Sequence, residues 1–194
     1  MFYKRQNQID QAKSLLREAK KYITNETTTQ ALILLSDQLY SVGLYEETID
    51  ILEKITDNES DSVFTRRLAN AYYHCDELQR ALEICLAIRS ECGPEKFYSE
   101  MECAIYEAIG DLGRAKEVCE IYLSRFPNDV DMKLRKGVID LRSNNLNEVD
   151  EFLESRIEVR SLSLKSGLLL SFLYIVIGHL KTRQSWAVQN PPGF

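Results

Sequence analysis

Nucleophile and base chemistry in this chain would have to come from two histidines, His74 and His179, and five cysteines, Cys75, Cys85, Cys92, Cys103 and Cys119. His74 adjoins Cys75, but consecutive residues of a helix point about 100° apart, so imidazole and thiol do not meet as base and nucleophile. No phosphate-cradling glycine loop, HExxH, GxSxG or acidic metal loop occurs. The cysteines are odd in number and form no CxxC pair, so neither a zinc site nor a disulfide framework is signalled. We therefore read the chain as a non-enzyme with no cofactor and no metal. Its thiols suit a reducing, cytoplasmic setting.

Composition points to helices. Of 194 residues, 44% are hydrophobic and 28% charged, with only four prolines and eight glycines. That favours helices over short strands and turns, and provides enough apolar material for a sizeable core. The net charge of −6 argues against a uniformly basic face for nucleic-acid phosphates. Charge is unevenly placed: residues 1–28 carry six Lys or Arg against three acids, and residues 29–61 carry one Lys against eight acids. A basic end beside an acidic segment is available to steer a polar partner, although helix-surface charge is more commonly a solvated face. Met1 is followed by a polar stretch and not by the short apolar core of a leader. The longest apolar run, Leu168 to Ile177, is about half of what a bilayer-spanning helix takes, so it reads as a buried core helix.

Internal periodicity organises the rest. The small residues Ser36, Ala69, Cys103, Gly137 and Ser171 are separated by 33, 34, 34 and 34 positions. A second register, Ala12, Thr48, Ala81, Ala115 and Val149, has gaps of 36, 33, 34 and 34. Turn residues fall between the two: Asn7-Gln8, Gly43-Leu44, Asp76-Glu77, Gly110-Asp111, Asn144-Asn145 and Gly178-His179. Each unit is read as helix, tight turn, helix, with small residues letting two backbones approach and larger apolar residues filling the flanks. Cys85 and Cys119 hold the second-helix place of Leu16, Leu52 and Leu153, which makes them packing residues. Cys75 and Cys92, near helix ends, are the thiols expected at the surface.

The stretches Ala71-Tyr72-Tyr73 through Arg80-Ala81-Leu82, and Ile109 to Ala115 ending in Phe126-Pro127-Asn128-Asp129, resemble tetratricopeptide repeats. The period, the first-helix aromatics Tyr3, Tyr72, Tyr106 and Tyr174, and the closing Pro127 all carry the likeness. Leu39 and Asp140 replace the aromatic in two units, Glu102 and Lys136 stand where an apolar residue is usual, and Arg183 takes the Ala-like place at the end. The resemblance implies an all-α, right-handed superhelical solenoid of antiparallel helix pairs over 1–194. Its divisions are a partial repeat or cap at 1–28, helix-pair repeats at 29–61, 62–95, 96–129 and 130–163, and a degenerate last repeat and tail at 164–194.

In such repeats the first helices form the concave face, and three- and four-residue steps along them give its stripe. In one unit the stripe is Val63, Arg66, Asn70, Tyr73 and His74; in the next Phe97, Glu100, Met101, Ala104 and Glu107; then Asp131, Leu134, Arg135 and Val138. Some members of the family clamp a terminal carboxylate there. Arg66, Asn70 and Arg135 match three of five clamp positions, but Met101 and Asp131 break the set. The reading is therefore a scaffold or adaptor that holds a peptide or helix of a protein partner through Arg66, Asn70, Tyr73, His74, Glu107 and Arg135. The alternatives are a regulatory segment of a larger enzyme or complex, and an RNA-binding helical-repeat protein, which Glu100, Glu107 and Asp131 disfavour. The last first helix adds an outward apolar stripe of Leu168, Phe172, Ile175 and Val176. Self-association as a homodimer, a partner, or a folded-back tail with Trp186 and Phe194 would cover it.

Overall fold

The computed structural model describes residues 2–24, 27–56, 62–154 and 164–189, with side chains at 8–24, 27–55, 63–153 and 167–180. All regular structure among them is helical: α1 (Phe2–Lys20), α2 (Thr29–Ser41), α3 (Tyr45–Thr56), α4 (Ser62–His74), α5 (Leu78–Cys92), α6 (Lys96–Ala108), α7 (Leu112–Arg125), α8 (Val130–Arg142), α9 (Leu146–Glu154) and α10 (Leu164–Gln189). These form two compact units, 1–93 and 94–194. In the first, α2 packs on α3, α3 on α4 and α4 on α5, with α1 against α2. In the second, α6 packs on α7, α7 on α8 and α8 on α9, and α10 lies on both α8 and α9.

The turns repeat to the residue. Gly43, Asp76, Gly110 and Asn144 adopt positive φ, between 61° and 82°, at spacings of 33, 34 and 34. At each, the next residue's amide reaches back across the turn, from Leu44, Glu77, Asp111 and Asn145 to the carbonyls of Leu39, Tyr72, Tyr106 and Asp140 at 2.8–2.9 Å. A left-handed residue plus this long reverse bond stops a helix and caps its last carbonyls. Asp and Asn tolerate that conformation better than other non-glycine residues, which is why they alternate with glycine here.

The middle members of the two packing registers are buried: Ser36, Ala69 and Cys103 in the first, and Thr48, Ala81, Ala115 and Val149 in the second, are fully shielded from solvent, whereas Ala12, at the start of the second, is half-buried. Gly137, also buried, lies so close to Phe152 and Leu173 that an added Cβ would sit 3.2–3.3 Å from both. Leu52, Cys85, Cys119 and Leu153 are buried at their shared second-helix place. Cys75 is half-buried and Cys92 exposed, as their positions near helix ends imply.

The ends of the chain depart from the periodic reading. No turn forms at Asn7-Gln8, and α1 runs straight through. Nor does one form at Gly178-His179: φ at Gly178 is not positive, and α10 continues to Gln189. A single helical glycine weakens a helix by only about 1 kcal/mol, and Ile177 and the half-buried Leu180 on either side belong to the packed stripe. α10 is also rotated from its expected register. Leu170, Leu173 and Ile177 are buried, whereas Ser171 and Tyr174 are exposed. An all-apolar helix does not select a face by its own pattern; the gap left by Gly137 admits Leu173 and decides it. Consequently α10 is not buried all round.

The uneven charge at the chain's start is partly neutralised within the fold. Arg17 binds Glu47 at 2.8 Å and Lys20 binds Asp50 at 2.5 Å, tying α1 to α3.

Candidate partner-binding faces

In the first unit, α4 carries Val63, Arg66 and His74 exposed, with Asn70 and Tyr73 half-buried. The opposite side of α4 buries Phe64, Leu68, Ala69, Ala71 and Tyr72, so the expected stripe is the one left outward. Around His74 lies an aromatic cluster. The Tyr45 ring stacks on it at 4.4 Å and 10°, and Tyr73 meets it edge-on at 5.9 Å. Tyr40 in turn meets Tyr45 edge-on at 5.6 Å. Tyr40 also faces Arg67, whose guanidinium is 5.8 Å from the ring centre and pairs with Asp37. Burial first, then the neighbouring Tyr45, raises the Tyr40 hydroxyl above its ordinary range. Tyr40 and Tyr45 were missed by a stripe drawn along α4 alone, since one lies at the end of α2 and the other starts α3. Their proximity to each turn was the available signal.

In the second unit, Glu107 and Arg135 meet. The carboxylate of Glu107 on α6 accepts from Arg135 on α8 at 3.0 Å and from Arg142, two turns further along, at 2.7 Å. Arg142 was not singled out; its seven-residue spacing from Arg135 places both on one face of α8. Arg135 is thus already bound to a carboxylate, and a ligand carboxylate would compete with Glu107 for it. Acids of this unit's first helices are similarly engaged: Lys96 lies 2.9 Å from Asp131, 3.1 Å from Asp129 and 4.0 Å from Glu100. Met101 and Leu134, assigned above to the outward stripe, are buried. α6 is enclosed on most of its circumference, with Tyr98, Ser99, Glu102, Cys103, Ile105 and Tyr106 buried as well. The Cys103 and Cys119 sulfurs lie 3.5 Å apart. Their hydrogen bond and then burial push the Cys103 thiol far up, which keeps it protonated and unreactive.

A third cluster joins α7, α8 and α9. Asp140, 2% exposed, lies 3.0 Å from both Lys116 and Lys136, and each lysine also reaches Glu148, at 2.6 and 2.8 Å. The bonds from Lys116 and then Lys136 hold the Glu148 carboxyl down at about 2, against its ordinary 4.5. A carboxylate held below its unfolded value contributes stability that is complete above 4.5 and lost as pH falls towards 2. Glu148→Gln is therefore expected to flatten the decline of melting temperature between pH 4.5 and 2. An unchanged slope in that window would show that the bridge contributes nothing.

Among the described residues no group of three or more His, Cys, Asp or Glu is placed to hold a metal ion, and no helix is long and apolar enough to cross a membrane.

Against known proteins, no family model matches the chain, and no curated protein sequence does. Solved structures do. A tetratricopeptide repeat protein from Parabacteroides merdae is similar with a TM-score of 0.65 and 17% identity, over 78% of this chain and 60% of that one. MamA from Desulfovibrio magneticus (residues 41 to end) gives a TM-score of 0.62 and 15% identity over 85% and 97%. A thermophilic TPR protein of Thermus thermophilus gives 0.59 and 18% over 85% and 92%. The fold is that of tetratricopeptide-repeat proteins: all-α, built from antiparallel helix pairs.

Proposed function

We propose that this chain is a protein-interaction module, a scaffold or adaptor that receives a peptide or helix of a partner along the outward face of its first helices. The observation that carries this reading is the aromatic cluster Tyr40, Tyr45, Tyr73 and His74 beside Arg66 and Asn70. Rings braced against one another lose little entropy on binding, and Tyr and Arg are the side chains that dominate interface energetics. The polar fringe of Arg66 and Asn70 fits hydrogen bonding to a main chain or side chain of the ligand. In the second unit, the Glu107–Arg135–Arg142 bridge supplies a rigid polar edge suited to selecting among partners and not to clamping a free carboxylate.

Quantitative affinity capture tests the proposal by comparing wild type with Arg66→Ala/Tyr73→Ala and with Glu83→Ala on the exposed side of α5. Loss of two anchors is worth ~2 kcal/mol or more, a roughly 30-fold weakening. Partners held on this face are depleted from the double variant and retained by Glu83→Ala. Equal recovery from all three proteins sinks the assignment.

A further inference from the structure

We propose that the core of the second unit holds a site for copper(I), with the Cys103 and Cys119 thiolates and the Met132 thioether as its ligands. The site is separate from the partner-binding face and stands whether or not that reading does. Three helices each bring one sulfur. Cys103 on α6 and Cys119 on α7 place their sulfurs 3.5 Å apart, and the Met132 sulfur on α8 lies 3.9 Å from that of Cys119. All three residues are fully shielded from solvent. Packing alone asks for no sulfur here. At the same repeat phase stand Ser36 and Ala69 for Cys103, Leu52 and Cys85 for Cys119, and Phe64 and Tyr98 for Met132, all of them buried as well. Small, aliphatic and aromatic groups fill those places elsewhere, whereas this layer is sulfur throughout.

Softness and spacing name the ion. Thiolate and thioether donors together select copper(I), whereas zinc takes imidazole or carboxylate beside thiolate and closes a tetrahedron. Among the described residues no group of three or more His, Cys, Asp or Glu is placed to complete such a zinc site. Metal–sulfur bonds of about 2.3 Å set sulfurs that share one ion about 3.8–4.0 Å apart. The Cys119–Met132 separation already has that value, and the two cysteine sulfurs need open by only about 0.3–0.5 Å to reach it. Separated by 16 and 13 residues and carried on three helices, the ligands form no local motif, so the amino-acid order alone signals no metal.

Loading is a ligand exchange without redox. The ion takes a lone pair from each sulfur, and both thiols release their protons to solvent, as a coordinating thiol does. Bare, the pair stays protonated and shares a hydrogen bond. The ion enters as the unit folds or opens locally, because Met132 reaches Cys119 only once α8 has packed on α7.

The test uses the full chain with Cys75→Ser and Cys92→Ser, which removes the half-buried and the exposed thiol from the count. It is refolded without oxygen in the presence of copper(I) and the competing chelator bicinchoninate. Elemental analysis should find one copper per chain, X-ray absorption should find three sulfurs and no nitrogen or oxygen around it, and the loaded protein should melt higher than the metal-free one. Cys103→Ala, which installs the residue of the preceding repeat, should bind copper at least ~100-fold more weakly, beyond what loss of an outer-shell partner produces. Met132→Leu conserves volume and should leave two sulfurs at the ion. A chain that takes no copper against the chelator overturns the proposal, as does copper held by nitrogen or oxygen, or wild-type affinity in Cys103→Ala. Should Cys103→Ala fail to fold, Met132→Leu decides alone, and an unchanged three-sulfur shell sinks the site.

Discussion

Gly137→Leu is expected to destabilise the second unit by about 3 kcal/mol or more, near the upper end of what overpacking a core produces. Gly137 lies on α8 where α9 and α10 both press in: a Cβ there would be 3.2 Å from Phe152 and 3.3 Å from Leu173. Leu173 is fully buried among Leu134, Val149, Leu153, Leu170 and Ile177, so it has nowhere to move, and a leucine at 137 must push α10 off its seat. Alanine is the informative control. It meets the same tight contacts with one methyl, but it gains up to about 1 kcal/mol of helix propensity over glycine, so its net effect should lie near zero. Urea denaturation followed by circular dichroism checks both. A leucine variant within about 1 kcal/mol of wild type would mean that α10 does not pack here.

That packing also explains what could be read from the amino-acid order. The small-residue register located Ser36, Ala69, Cys103 and Gly137 as helix contacts because close backbone approach restricts side-chain size directly. The turns were equally legible, since a left-handed residue admits few types, and Gly, Asp, Gly and Asn recur at the same phase. Periodicity failed where it predicted one more turn at each end. Asn7-Gln8 and Gly178-His179 occupy turn phase, but phase alone does not break a helix whose flanking residues remain well placed within it. The rotation of α10 was invisible for another reason: with apolar residues on all sides, its face is chosen by the shape of α8 and not by its own pattern. At the candidate faces, Arg66, Asn70, Tyr73 and His74 could be placed from one helix's spacing. The stack of Tyr45 on His74 and the bridge from Glu107 to Arg135 and Arg142 depend on contacts between helices, which no single-helix period contains. The burial of Met101 and Leu134 has the same origin.

Asp140→Ala is expected to cost about 3 kcal/mol at neutral pH, the low end for breaking a buried ionic cluster. Asp140 stands in the place of Tyr72 and Tyr106, yet it is an acid nearly sealed from water between Lys116 and Lys136. Removing one member of such a cluster typically costs about 3–5 kcal/mol, because its partners stay behind uncompensated. Here the lower figure applies, since both lysines keep Glu148 and remain partly exposed. Asp140→Asn separates charge from volume: it preserves shape, so any loss it shares with alanine is electrostatic. The decisive variant restores the pattern of the other repeats. Lys136→Leu with Asp140→Tyr reproduces the Leu68 and Tyr72 pairing of the first unit and leaves Lys116 bound to Glu148 at 2.6 Å. Exchanging a buried ionic cluster for well-packed apolar groups is often neutral or stabilising, so this double variant should return to within about 1 kcal/mol of wild type. If guanidinium denaturation finds it as weak as Asp140→Ala, the fourth repeat depends on its charges in a way that its siblings do not, and the equivalence of position 140 with Tyr72 and Tyr106 ends at the backbone.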